Sequence, residues 1–108
     1  MTRALLRFQV GSFLLFATTS LLFAGTSGKI SGKVVDAASK EGLIGVNILV
    51  EGTKLGASTD INGHYVIINI PPGAYTLVAS SVGYHPSKVT KVQVSIDQTT
   101  SIDFQLNE

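Results

Sequence analysis

The chain has no cysteine and no tryptophan among its 108 residues, and its only arginines are Arg3 and Arg7. Without cysteine there are no disulfides, thiolate metal ligands or thiol nucleophile, so a small domain must be held by its core alone. Charge is also missing over a long stretch: no ionisable side chain falls between Arg7 and Lys29. That gap holds Phe8, Val10, Phe13 to Phe16 and Leu21 to Phe23, and runs out into Ala24, Gly25, Thr26, Ser27 and Gly28. A basic start, an apolar run and a small-residue end describe a secretory signal peptide over residues 1–28, cleaved near 24–27. Cutting after Ala24 puts Leu22 at the −3 position, and cutting after Ser27 puts the smaller Gly25 there. The uncharged stretch approaches the ~20 residues of a membrane span. Thr18, Thr19 and Ser20 interrupt it, which favours cleavage over an uncleaved anchor. No cysteine is present to carry a lipoprotein anchor.

Beyond that segment six lysines face seven carboxylates, a net charge of −1. A near-neutral domain without arginine lacks the basic surface that nucleic acid requires. One domain is expected over residues 29–106, with 107–108 a tail or the start of a linker.

Helical periodicity is absent too, and glycine recurs too often for a long helix. The alternation present is that of strands. Ile30, Gly32 and Val34 mark a first strand, Val46, Ile48 and Val50 a second, and residues 55–59 a short third. Asn62-Gly63 predicts a hairpin, because both residues tolerate positive φ. A fourth strand over 64–70 has apolar residues on both faces in Val66-Ile67-Ile68, as in a strand covered on both sides. Pro71-Pro72-Gly73 must end it, since proline cannot donate to a ladder. Tyr75, Leu77 and Ala79 mark a fifth strand. Val89, Val92, Val94 and Ile96 mark a sixth, with a bulge where the phase changes between Val89 and Val92. Ile102, Phe104 and Leu106 mark the seventh. Seven short strands with frequent turns predict an all-β, antiparallel Greek-key sandwich.

The ordered motifs Gly32-Lys33-Val34-Val35-Asp36, Leu43-Ile44-Gly45-Val46, Thr59-Asp60, Asn62-Gly63-His64-Tyr65, Pro71-Pro72-Gly73-Ala74-Tyr75 and Val82-Gly83-Tyr84 resemble the carboxypeptidase-regulatory-like domain, a transthyretin-like (prealbumin-like) sandwich. The resemblance implies a non-catalytic accessory module of exported proteins. One setting it implies is the periplasmic N-terminus of a TonB-dependent outer-membrane receptor in Bacteroidetes-like bacteria. The chain would then be a fragment of such a receptor or a free-standing exported module, in the periplasm, at the outer membrane or secreted. The expected partner is protein, either the rest of the receptor or another envelope component. Membrane contact would come only through the signal segment or a parent barrel.

Candidate chemistry is sparse. Asp60-x-Asn62-Gly63 looks like the start of a calcium loop, but Tyr65 to Ile68 follow where further oxygen ligands are needed. A turn built on Asp60, Asn62 and Gly63 is the better reading, as is a structural stop at Pro71, Pro72 and Gly73. His64 and His85 are the only imidazoles, too few for zinc without scattered carboxylates. No serine lies in a Gly-x-Ser-x-Gly elbow. The fold's hydroxyisourate hydrolase branch uses histidine, arginine and a C-terminal Tyr-Arg-Gly-Ser signature, whereas here no arginine follows Arg7 and the chain ends Phe104-Gln105-Leu106-Asn107-Glu108. No catalytic residue, cofactor or metal is therefore expected. The rival function is carbohydrate binding by a stand-alone module, for which aromatic faces stack on sugar rings. Tyr75 and Phe104 fall on apolar strand faces, leaving Tyr84 beside His85 as the candidate ligand contact. Lys88 and Lys91 would guard an exposed strand edge or simply be solvated.

Overall fold

A computed structural model describes residues 25–108. Residues 1–24, which carry most of the expected signal peptide, lie outside the described residues. Among the described residues eight strands form two sheets: β1 (Gly28–Asp36), β2 (Asn47–Val50), β3 (Gly56–Ser58), β4 (His64–Ile70), β5 (Gly73–Ser80), β6 (Ser87–Val94), β7 (Thr99–Ser101) and β8 (Phe104–Leu106). One sheet runs β3-β2-β5-β6 and is antiparallel throughout. In the other, β1 is central, with β4 antiparallel on one side and β7 and β8 parallel on the other. The all-β sandwich is as the sequence predicts, while the strand count and this parallel pairing differ from it.

The difference has a local cause. β7 and β8 hold the same register on β1, with Ser31 opposite Ser101 and Val34 opposite Phe104. β8 falls within the predicted seventh strand and β7 precedes it, the two forming one edge opened at Ile102 and Asp103. The Lys33 amide donates to Asp103 Oδ1 at 2.9 Å instead of to a backbone carbonyl. The freed Ile102 carbonyl accepts the Tyr65 hydroxyl and lies against Gly32, where a Cβ would sit 1.7 Å from its oxygen. Only glycine lets the two backbones come this close.

Alternation sets the core. Ile30 and Val34 of β1, Tyr65, Ile67 and Ile70 of β4, and Phe104 and Leu106 of β8 face Ile48, Val50, Leu77, Ala79, Val92 and Val94 of the opposite sheet, all buried. The Tyr65 and Phe104 rings meet at 6.3 Å between centroids and 49° between planes. Burial raises the Tyr65 hydroxyl pKa strongly, with the Asp103 charge adding to it.

Two bulges reset the alternation. In β6 the register with β5 shifts between Tyr75 and Leu77, and Lys91 there has φ 56, which is the predicted bulge. A second bulge was not predicted. The β1–β4 register shifts between Gly28 and Ile30, where Asn69 on β4 takes φ 59. This returns Ile70 to the core and leaves Val66 and Ile68 on the outer face, 55% and 53% exposed. Strand four is therefore covered on one face only, against the expectation from its apolar run. The apolar pattern fits burial of residues 65, 67 and 70 once the extra residue is counted.

Asn62-Gly63 reverses the chain, but the strands on either side of it belong to different sheets rather than to one hairpin. Pro71 and Pro72 likewise span from β4 to β5 across the sandwich. Ile96 lies beyond the end of β6 and is 47% exposed.

Leu77→Ala should cost about 2–5 kcal/mol, as fully buried leucine truncations do, read as a lowered urea midpoint at unchanged slope. Gly63→Ala should cost at least ~1–2 kcal/mol for its left-handed backbone alone. Gly63 has φ 85 and an added Cβ would lie 2.5 Å from the Val34 carbonyl.

Candidate functional site

Asp60, Asn62, Gly63, Tyr84 and His85, singled out by sequence, gather where β1, β5 and β8 end and β2, β4 and β6 begin. Three loops meet there, residues 37–46, 59–63 and 81–86, beside the exit of the chain after Leu106. Asp36 organises the first. Its Oδ1 accepts the Ala38 and Ser39 amides at 2.8 and 2.9 Å, and the Lys40 amide closes on the Asp36 carbonyl. An aspartate whose carboxylate collects amides two and three residues on is an Asx-type turn, a preference local to Asp-Ala-Ala-Ser.

Tyr84 reaches Asp36 from the third loop. Its hydroxyl donates to Asp36 Oδ2 at 2.9 Å, and its half-buried ring packs against the core. Asp36 is thereby buried yet fully partnered, one of two buried polar residues among those described. The hydrogen bond from the Ser39 amide, then that from Tyr84, holds the carboxyl below its usual value. The reciprocal bond to Asp36 pushes the Tyr84 hydroxyl up to about 12. The structure thus gives Tyr84 a bracing position, with its hydroxyl committed to Asp36. His85 next to it is exposed, and its amide donates to the Asn107 carbonyl at 2.8 Å. Ala37 N–H likewise donates to the Leu106 carbonyl. The chain is tied down on two sides as it leaves β8.

The second loop is closed by Asp60. Its Oδ1 accepts the amides of Asn62 and His64 at 2.9 and 3.0 Å, and its backbone pairs with His64 O and Gly63 N. The His64 amide is the largest contribution lowering the Asp60 pKa. That oxygen is spent on the turn. The other buried polar residue, Thr59, enters the sequence reading only through the Thr59-Asp60 motif. Its hydroxyl donates to Leu43 O and accepts the Val46 amide, pinning residues 43–46. Gly42 and Gly63 then pack the first two loops backbone to backbone. Pro71, Pro72 and Gly73 lie at the opposite end of β4, where Tyr75 donates to the Pro71 carbonyl at 2.6 Å.

Among the described residues no three His, Cys, Asp or Glu side chains converge as a metal site. The surface grooves are shallow. One of about 250 Å³ lies between Lys29 and Asp97, and one of about 400 Å³ lies over Gly32 between His64 and Asp103. Neither is lined by Tyr84 or His85. Apolar side chains at the loop tips are exposed instead: Ile44 at 65%, Ile61 at 77% and Val82 at 100%.

Comparison with known proteins gives these observations a context. The family described as the CarboxypepD_reg-like domain matches residues 30–108. A TonB-dependent receptor of Formosa agariphila is 30% identical over 95 residues, which cover 85% of this chain and 9% of the receptor. The chain therefore spans about a tenth of the curated relative it matches. Solved structures share the fold. One chain of a type II cohesin–X-dockerin complex from Acetivibrio cellulolyticus has TM-score 0.60 at 21% identity, over 71% of this chain and 52% of that one. The major pilin subunit of Bacillus cereus has TM-score 0.55 at 22% identity, over 76% and 30%. A Bacteroides uniformis protein described as carbohydrate binding has TM-score 0.56 at 19% identity, over 76% and 42%.

The Asp36–Tyr84 pair makes a signed pH prediction. Asp36 is depressed in the fold, so its stabilisation is complete above the ordinary carboxylate range and is lost as pH falls through the folded value. Tyr84 is raised, so its stabilisation is complete below the ordinary tyrosine value and is lost as pH climbs toward about 12. Tyr84→Phe should flatten the alkaline loss and shrink the acid loss, by less than Asp36→Asn, which removes the titrating carboxylate whose two amide bonds Tyr84→Phe leaves in place. Urea unfolding at a series of pH values checks both arms. An unchanged acid arm would mean that Tyr84 does not hold this carboxylate.

Proposed function

The chain belongs to the CarboxypepD_reg-like domain family, and from that membership we propose that it is the N-terminal accessory module of a TonB-dependent receptor, exported to the periplasmic side of the outer membrane. It acts there by binding protein, without catalysis. The observation that carries this reading is the proportion of the receptor match: most of this chain aligns to a small part of a much longer protein. Residues 1–28, read as a signal peptide, supply the export that such a receptor needs.

The loop end supports a binding role over a chemical one. A nucleophile or general base needs a side chain free to meet substrate. Asp36, Thr59 and Tyr84 are spent on backbone groups and on each other, as is one oxygen of Asp60. What faces outward at the loop tips is apolar, which suits contact with another protein surface. Tyr84, the residue on which sugar stacking depends, is half-buried and braced, so protein is the partner we favour over glycan.

The reading is tested in the genome and in the envelope. Translation of the genomic DNA past codon 108 should continue in frame into a plug and barrel. An antiserum raised against the domain should detect an outer-membrane polypeptide far longer than 108 residues. A stop codon at that point, or a short soluble product alone, would sink the receptor assignment.

A further inference from the structure

Among the described residues the sandwich has four strand edges, and three are blunted. β3 is three residues long. The β7/β8 edge is broken at Ile102 and Asp103. β6 carries Lys88 and Lys91 and the bulge at Lys91, with Lys88 paired to Glu51 at 3.4 Å. Short strands, lysines and bulges are the devices by which sheets avoid edge-to-edge pairing. β4 is seven residues long, has no lysine and bears two exposed apolar side chains at its centre.

The hydrogen bonds fix which β4 groups are free. Val34 N–H donates to Gly63 O, and this pair continues the β1–β4 register. Pairs in an antiparallel ladder alternate between bonded and non-bonded. Tyr65 and Ile67 therefore bond to β1, while His64, Val66 and Ile68 turn their N–H and C=O outward. The opposite side of β1 agrees: Lys29 N–H donates to Gln98 O, and Ser31 O accepts from Ile102 N. His64 is already closed by Asp60, which takes its N–H and donates to its C=O. Beyond Ile68 the left-handed Asn69 turns the strand, and Pro71 removes a donor. Among the described residues, the open edge is reduced to Val66 and Ile68.

We infer that this edge pairs antiparallel with the same edge of a second copy of the chain, about a two-fold axis at Ile67. That register sets Val66 of one copy opposite Ile68 of the other, and the reverse. It satisfies the two free N–H and two free C=O groups on each side together. It also pairs valine with isoleucine across the strands on the outer face, a favourable cross-strand combination. Sliding the axis to Val66 would instead set Ile68 opposite His64, whose backbone groups Asp60 already holds. The edge is self-complementary in only the first register, as an isologous contact requires. The near-zero net charge beyond the leader opposes association little. Two residue pairs bury far less than the roughly 1,600 Å² of a standard interface, so the dimer is weak and forms at high local concentration. The inference does not rest on the receptor assignment.

The test uses the full chain, expressed with export so that the host processes it. Sedimentation is followed from about 10 μM to about 1 mM, with amide hydrogen exchange at both ends of that range. The expected result is a shift toward dimer at the top of the range, with added protection at Val66 and Ile68 and none on β6. Val66→Lys and Ile68→Lys, both at exposed positions, should each weaken association at least tenfold and leave circular dichroism unchanged. A monomer at every concentration overturns the inference. So does a dimer whose added protection lies on β6 or the loop tips, or one that both lysine variants leave intact. A genome that lacks a plug and barrel would remove the receptor assignment and leave this result standing.

Discussion

Everything in one half of the sandwich hangs on the central strand β1. Its even residues bond to β4 and its odd residues to β7 and β8, so one nine-residue strand orders three others. The same alternation aims Ile30 and Val34 at the opposite sheet. A slip of one residue would exchange every partner and turn the core face outward. Without disulfides, nothing covalent prevents that slip. It is prevented by burial and by close backbone approaches at Gly32 and Gly63 that no other register allows.

The family signature is largely a record of those approaches. Gly32 admits the Ile102 carbonyl, and Gly63 lies against Val34 and Gly42. Thr59 clamps residues 43–46, and Tyr84 braces Asp36. Each is a place where two segments distant in sequence cross with a polar group to satisfy. Polar residues that look like site chemistry in the linear chain are here the means of satisfying buried backbone. This leaves the β4 edge and the apolar loop tips as the open surfaces among the described residues. It also explains how a domain so small remains ordered while presenting Ile44, Ile61 and Val82 to solvent.

Much of this was legible beforehand, and the misses have physical reasons. The Lys91 bulge announced itself because Val89 and Val92 are out of phase. The Asn69 bulge did not, because isoleucines at 67, 68 and 70 satisfy either phase. Reading that run as covered on both faces followed from the ambiguity, and one left-handed asparagine decides it. The Asp60 turn could be anticipated from the local preference of Asp-x-Asn-Gly. That its flanking strands diverge into two sheets could not, since a turn sequence constrains only its own few residues. The Asp36–Tyr84 bond joins residues 48 apart, and neither partner carries a local sign of the other.

The sequence by itself determined what depends on near neighbours: strand periodicity, turn positions and an uncharged apolar stretch before Lys29. These follow from side-chain alternation and local backbone preference, which act within a few residues. Tertiary structure alone decided which strands pair, that β7 and β8 run parallel to β1, and that Tyr84 is a brace. It also decided which of four edges stays open. Those outcomes depend on which distant groups can satisfy one another's hydrogen bonds while the core closes, and that competition exists only once the chain is folded.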